Sequence, residues 1–261
     1  MNIYEFPPIA LLVNAAYWLV TGLSDLLEPL AGQGSAVLAI VLLTVIVRSL
    51  LIPVGLSQVR AGITRRRIAP RLQELQTKHR KNPELLQQKI MELYREEKAS
   101  PFAGCLPVLA QMPVLMAVYG IFIQSTISGH TNTLLDHSLF GVPLSSSLVS
   151  LIGSGDITLA SGLVYAVLIG GIAVVAQLSR RLLAESMPPP TPTDQPAQDL
   201  SGLTRALGLM PFLTAVFAAF VPLAATVYLM TTTTWTLCER LTLNRLLGAT
   251  REPAPASETP R

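Results

Sequence analysis

The sequence predicts an all-α membrane protein with a five-transmembrane-helix core, a cytoplasmic helical hairpin and an N-terminal interfacial helix. Three observations predict this class. Half of the 261 residues are hydrophobic, and only 13% are charged. Several uncharged runs reach the roughly 20 residues that a helix needs to cross about 30 Å of hydrocarbon. Lys and Arg are absent from alternate connections between these runs, as the positive-inside rule requires of a multi-pass protein.

Residues 1–34 are expected to lie outside the cytoplasm. They include the apolar stretch FPPIALLVNAAYWLVTGLS. Its polar positions fall on one helical face: Asn14, Thr21, Asp25 and Glu28. This pattern favours a helix lying on the outer surface, and a sixth span is the alternative. The first basic residue is Arg48, so the segment lacks the positive region of a secretory signal peptide and is expected in the mature protein.

The uncharged runs predict five spans. The first three are residues 35–56, 103–127 and 157–178. The run from Ala206 to Cys238 would measure about 50 Å as a single helix, which exceeds the thickness of a bilayer. Val221 and Pro222 lie near its middle and predict a turn. We therefore divide this run into a fourth span at 206–220 and a fifth at 222–239.

Charge predicts the orientation. Residues 57–102 contain 11 basic and 5 acidic side chains, all between Arg60 and Lys98, which gives a net charge of +6. Residues 1–34 and 128–156 contain neither Lys nor Arg. The first segment is therefore assigned to the cytoplasm and the other two to the outside. The loop 179–205 and the short tail 240–261 carry arginines and are also placed inside, which predicts a multi-pass protein of the bacterial plasma (inner) membrane with a cytoplasmic C-terminus.

The basic segment keeps an apolar stripe despite its charge. The stripe has helical spacing on each side of residues 82–84, at Ile68, Leu72 and Leu75 and then at Leu86, Ile90 and Leu93. Asn82, Pro83 and Glu84 read as the N-cap, first position and first-turn acid of a second helix. The segment is either a solvated connector or a docking surface for anionic partners such as membrane lipids or ribosomal RNA. Because Tyr94 is its only aromatic residue, no sequence-specific nucleic-acid binding is expected. Residues 187–199 read as a Pro-rich linker.

One charge lies inside a predicted span. In LTVIVRSLLIP, Arg48 lies about 12 Å by helix rise from the predicted end at Leu56. Three interpretations are open: snorkelling to the interface, an ion pair within the membrane, or a hydrated groove. No Asp or Glu lies in the interior of a predicted span, which favours the groove. The polar residues expected to line it are Thr44, Gln111, Tyr165, Gln177 and the run Thr231–Thr234, although the threonines have helix packing or back-bonding as an equal alternative.

Two function classes fit poorly. A small-solute or ion transporter or channel is the alternative to be tested, but His79, His130 and His137 all fall in predicted loops, and no internal repeat is evident. An intramembrane enzyme would need a nucleophile with a base or a metal cluster, and the predicted spans contain neither. Cys105 and Cys238 suggest neither a disulfide framework nor a metal site. The sequence thus predicts no catalysis, no cofactor and no metal.

Three stretches resemble the YidC, Oxa and Alb membrane insertases. They are SPFAGCLPVLAQMPVLMAVYGIF at 100–122, LTVIVRSLLIP around Arg48, and FVPLAATVYLMTTTTWTL in the last predicted span. The resemblance implies a five-helix core around a hydrophilic groove, and the insertion of nascent membrane proteins alone or beside the Sec translocon, with the ribosome as a further partner. One position departs from the family pattern. Many relatives have an aromatic residue directly after the tyrosine of the last span, whereas here Leu229 follows Tyr228. Because only 34 residues precede the first predicted span, the large extracytoplasmic domain of some relatives is expected to be absent.

Overall fold

The structure is a computed structural model, and it describes residues 6–80, 82–97, 106–127, 129–183 and 212–247. The fold is mostly helical. In chain order the helices are α1 (Pro7–Ala31), α2 (Ser35–Leu50), α3 (Ile52–Lys78), α4 (Pro83–Glu96), α5 (Leu106–Ile123), α6 (Leu148–Ser154), α7 (Leu159–Leu183), α8 (residues 212–218) and α9 (Leu223–Leu246). The Pro-rich linker at 187–199 and the part of the tail after Leu247, both named above, lie outside the described residues.

The buried core is formed where α1, α2, α5, α7 and α9 meet. α1 packs against α2 and α5, and α9 packs against α2 and α7. The face of α1 that is buried carries Val13, Tyr17, Val20 and Ser24, at helical spacing. A 3-10 turn at Gly32–Gly34 joins α1 to α2, and the hydroxyl oxygens of Ser24 and Ser35 lie 2.8 Å apart across that joint.

Within the residues that the structure describes, two helical stretches are long and apolar enough to cross a membrane. They are the run Pro7–Leu50, with 44 residues, and Leu159–Leu182, with 24 residues, each with a mean hydropathy of 2.3. The outward sides of both runs carry large apolar side chains, such as Leu11, Trp18 and Val167. This is the surface expected of helices in contact with lipid. The count of five spans and the position of α1 on or across the membrane stay predictions.

The first predicted span ends earlier than the sequence indicated. We placed its end at Leu56, whereas α2 ends at Leu50 and α3 begins at Ile52. Pro53 explains the break, because proline has no amide hydrogen to donate and its ring clashes with the preceding turn of a helix. Arg48 therefore lies in the last turn of α2, two residues from its end, and not about 12 Å from the end of a continuous helix. A cation is favourable at the negative end of a helix dipole.

The basic segment folds as a helical hairpin, in which α4 packs against α3. Arg67 and Arg71 of α3 form ion pairs with Glu97 beyond the end of α4, at 2.6 and 3.0 Å. The predicted start of α4 is confirmed: Asn82 is its N-cap and accepts a hydrogen bond from the backbone N–H of Leu85 at 3.2 Å, and Pro83 is its first residue. The apolar stripe named above lies at the contact, where Ile68 and Leu93 are buried.

The connection between α5 and α7 contains structure that the sequence did not predict. Two short antiparallel β-hairpins occur there, β1 (Thr126–Ile127) with β2 (His130–Thr131) and β3 (Ser138–Leu139) with β4 (Val142–Pro143). The prediction of an all-α fold therefore missed four two-residue strands. Asn132 lies buried between the hairpins, where its side-chain nitrogen donates to the carbonyls of Gln124 and Ile121. These bonds fasten the connection to the end of α5.

The same connection caps the start of α9. Pro222, the N-cap residue of α9, provides no side-chain cap. The backbone N–H groups of Leu223 and Ala224 donate instead to the carbonyls of Ser146 and Leu144, at 2.8 and 3.1 Å. The first N–H groups of a helix have no partner inside the helix, so these carbonyls satisfy donors that would otherwise be buried alone. The chain turns at 219–222, which includes the predicted turn residues Val221 and Pro222.

Candidate functional site: an arginine between two helices

Arg48 joins the end of α2 to the middle of α9. Its Nε donates a hydrogen bond to the Thr232 hydroxyl oxygen at 2.8 Å, and its Nη2 donates to the same oxygen. Thr232 is buried with 6% of its surface exposed, whereas Arg48 is half-buried. Threonine is neutral, so this pairing orients the guanidinium without cancelling its charge. The site is thus a fixed positive charge between two helices of an apolar bundle.

Arg48 has a partner within the protein, although no Asp or Glu lies in the interior of a predicted span. This partner is a hydroxyl group and not a carboxylate, and it lies 184 positions away in the sequence. The run Thr231–Thr234 had been named as a candidate lining, but its spacing could not single out Thr232. Threonine is common in membrane helices for packing alone, so only the approach of α2 to α9 identifies the residue that meets Arg48.

Most of the neighbouring threonines use their hydroxyls within their own helices, whereas the buried Thr234 hydroxyl has no hydrogen-bond partner within the described residues. Thr231, Thr233 and Thr236 donate to backbone carbonyls of α9 three or four residues earlier, at distances between 2.7 and 3.1 Å. Thr44 does the same on α2, donating to the carbonyl of Ile40 at 2.6 Å. For these four residues the structure agrees with the back-bonding alternative. Thr44 is buried one turn before Arg48 on the same face of α2.

The other predicted residues are not brought to Arg48 by the described contacts. Gln111 falls within α5, but its side chain lies outside the described residues. Gln177 is half-buried on α7, which packs against α9. Tyr165 is fully buried on α7, and its hydroxyl donates to the carbonyl of Ser146 at 2.8 Å. That carbonyl also caps α9, so Tyr165 fastens the connecting segment to the bundle.

We expect Tyr165→Phe to lower stability without affecting the Arg48 site. The change removes one buried hydrogen bond and leaves the ring in place, which costs about 1–2 kcal/mol. Thermal unfolding of the purified chain in detergent should show a lower midpoint, while the insertion activity that the resemblance implies should stay at the wild-type level. Tyr119→Phe, a partly buried tyrosine on α5, is the matched control. Loss of activity at unchanged stability would instead place Tyr165 in the groove.

These features define a helical integral membrane protein with a positive site between two helices. The sequence matches the 60Kd inner membrane protein family over residues 26–250. The membrane protein insertase YidC of Clostridium perfringens is 37% identical over 119 residues, which cover 46% of this chain and 50% of that relative. The chain belongs to the 60Kd inner membrane protein family, that of the YidC, Oxa and Alb proteins.

Two further relatives are also membrane protein insertases named YidC. The membrane protein insertase YidC of Alkalilimnicola ehrlichii is 31% identical over 127 residues, which cover 49% of this chain and 22% of the relative. That of Azotobacter vinelandii is 37% identical over 109 residues, which cover 42% and 18%. The matched region thus spans half or less of the length of each of these relatives.

Proposed function

We propose that this chain is a membrane protein insertase that inserts and helps to fold integral membrane proteins through a hydrated groove containing Arg48. The observation that carries the proposal is the half-buried guanidinium at the joint of α2 and α9, held by Thr232 inside an apolar bundle. Membership of the insertase family supports it. Arginine keeps its charge in any environment, so this position offers a permanent cation to a passing chain.

The mechanism follows from the cost of moving charge into lipid. A client segment with an acidic residue is opposed by desolvation of its carboxylate. A guanidinium part-way through the bilayer reduces that cost, because it forms charge-assisted hydrogen bonds with the carboxylate. The apolar side chains of the client then move into lipid between the helices. Burial of that apolar surface drives the step, so the proposal requires neither a nucleotide nor a metal.

The proposed orientation places α3 and α4 in the cytoplasm. Their net positive charge supports this side, and the lack of Lys and Arg in 1–34 and 128–156 supports the other. We propose five spans, with α1 lying on the outer surface. The partners are nascent membrane proteins and membrane lipids, and the basic hairpin gives a surface on which a ribosome or the Sec translocon can dock.

Site-specific photo-crosslinking tests the function. A photoreactive amino acid replaces Thr44, which is buried one turn from Arg48, and in a second variant it replaces Ile46, which is 44% exposed on the outer side of α2. We expect ribosome-bound nascent chains of a membrane protein to form adducts at position 44 and few at position 46. A transporter or channel predicts no nascent-chain adducts at either position, and that result would overturn the proposal.

A further inference from the structure

The hairpin of β3 and β4 carries an exposed phenylalanine at its tip. Leu139 pairs with Val142, so Phe140 and Gly141 form the two-residue turn between the strands. Phe140 has a φ of +51° and Gly141 a φ of +82°. Such turns favour Asn and Gly, because a Cβ atom comes close to the following carbonyl oxygen when φ is positive. Phe140 is also 81% exposed, so packing within the described residues does not offset this strain.

A strained turn that holds an apolar ring away from the protein points to a contact outside the chain. In a turn surrounded by water, Asn or Gly at position 140 would satisfy the backbone without exposing an aromatic side chain. Two features near Phe140 indicate that the contact is with lipid.

The first feature is the apolar surface beside the hairpin. The Ser138 hydroxyl of β3 donates to the side-chain oxygen of Gln33 at 3.0 Å, in the joint between α1 and α2. The last turns of α1, just before this joint, leave Leu26 and Leu30 exposed. α1 belongs to an apolar run long enough to cross a membrane, and exposed leucines on such a run are typical of a surface in contact with lipid. Phe140 continues this surface from α1 onto the hairpin.

The second feature is the character of the connection between α5 and α7. Residues 128–156 contain no Lys or Arg, and the connection leads directly into α7, which is long and apolar enough to cross a membrane. Within it, α6 packs Leu148 and Leu151 against the core and leaves Val149 and Ile152 exposed. Apolar side chains of segments at a membrane surface are buried in the boundary between head groups and acyl chains. The connection thus presents apolar side chains where a bilayer surface is expected.

We propose that Phe140 is a lipid-contacting residue, which inserts into the outer leaflet and anchors the connection between α5 and α7 to the membrane surface. The ring contacts acyl chains near the head groups, so no particular head group is required. The same connection provides the carbonyls of Leu144 and Ser146 that cap α9. The anchor therefore holds the beginning of the helix that carries Thr232 at the membrane surface. The choice of leaflet follows from the orientation proposed above, whereas the contact itself requires no client and no insertion activity.

Photo-crosslinking to lipid tests the contact. The full chain, in proteoliposomes of radiolabelled phosphatidylethanolamine and phosphatidylglycerol, carries a photoreactive phenylalanine at position 140. In two matched variants the same photoreactive residue replaces Thr131, which is exposed on β2, or Leu163, which is exposed on α7. We expect the yield of lipid adducts at position 140 to be about tenfold higher than at position 131, the ratio for burial of about half of a phenylalanine side chain. The yield at position 163 should be similar to that at position 140.

Three outcomes of this experiment would overturn the contact. Equal lipid yields at positions 140 and 131 would mean that the photoreactive residue itself partitions into lipid. A lack of lipid adducts at position 140, with adducts at position 163, would leave the ring in water. Adducts of position 140 with a protein in place of lipid, obtained by irradiating whole cells, would assign the tip of the hairpin to a protein partner.

Quenching by brominated lipids gives a second measurement with natural side chains. Phe140→Trp keeps a large aromatic ring in the turn, and Thr131→Trp adds the same fluorophore to the control position. The emission of the wild-type chain, which contains Trp18 and Trp235, is subtracted from both. We expect brominated lipids to quench the added emission of Phe140→Trp and to leave that of Thr131→Trp unchanged. Quenching of both variants, or of neither, would contradict the contact.

The side of the membrane is tested separately. Thr131→Cys, in a chain in which Cys105→Ser and Cys238→Ser remove the natural thiols, should react with a membrane-impermeant maleimide in intact spheroplasts. Reaction only after the spheroplasts are opened would place the connection in the cytoplasm and overturn the assignment to the outer leaflet.

Discussion

Arg48→Ala should lower insertion of clients with an acidic translocated segment by about tenfold or more, because a hydrogen bond to a charged group is worth about 1.5–3 kcal/mol. Insertion of clients with neutral segments should change little. The variant should fold, since the change removes a half-buried charge and leaves Thr232 with a hydroxyl that can bond to its own helix, as Thr231, Thr233 and Thr236 do.

Arg48→Lys should keep part of the activity. Lysine retains the positive charge, but it loses the planar fork that holds a carboxylate with two parallel hydrogen bonds. It also loses the Nε donor that bonds to Thr232 in the structure. We therefore expect acidic-client insertion between the levels of wild type and Arg48→Ala.

Protease protection of clients inserted into proteoliposomes measures both variants. Paired clients with Asp or Asn at one position isolate the effect of the carboxylate. Arg181→Ala is the matched control, because Arg181 is an exposed arginine in the last turn of α7, outside the hairpin, and its loss changes the net charge equally. If Arg48→Ala inserted Asp and Asn clients equally well, snorkelling or control of topology would be the better account of this arginine.

Local patterns in the sequence were sufficient for several elements. The start of α4 was predicted because an N-cap, a proline and a first-turn acid act within a few residues of each other. The apolar stripe of the hairpin was predicted because helical spacing alone places Ile68 and Leu93 on one face. The helix break near Val221 and Pro222 follows from the chemistry of proline and from the length of a bilayer.

The features that the sequence did not predict depend on contacts between distant residues. Thr232 meets Arg48 only because α2 and α9 pack together, and nothing in either segment encodes that register. Tyr165 was predicted to line a groove because it is a polar residue in a span, but the carbonyl of Ser146 is its partner. The strands β1–β4 contain two residues each, too short to produce an alternating pattern.

The joint between α2 and α3 shows how Pro53 changes the functional argument about Arg48. Pro53 was known from the sequence, yet the first span was continued to Leu56. With α2 ending at Leu50, Arg48 lies near the end of a helix, where the dipole favours a cation. The groove hypothesis therefore depends less on how deep Arg48 lies in the membrane than on which residues face its guanidinium group. Thr232 is one of these residues.

Deletion of the hairpin, residues 60–99, should abolish most client insertion while leaving the rest of the chain in the membrane. The structure gives the reason. Among the described elements, α4 packs mainly against α3, and α3 meets the bundle through α2 and α9, with Gly55 in its first turns. The distal part of the hairpin is held by its own apolar stripe and by exposed ion pairs to Glu97. Exposed ion pairs add about 1 kcal/mol at most, so this part is expected to move relative to the bundle.

The deletion variant carries a flexible Gly-Ser linker between positions 59 and 100, and its membrane integration is checked by resistance to alkaline extraction. A second variant keeps both helices but replaces the exposed Arg60, Lys78 and Arg80 with Gln, which separates the role of the charge from that of the fold. If the hairpin docks anionic partners, both variants should fail to insert clients. Client insertion by the charge variant should then increase at low ionic strength, because the charges that remain are screened less. If the hairpin is only a connector that fixes topology, the correctly integrated deletion variant should insert clients at the wild-type rate, and the hairpin would then have no part in the mechanism.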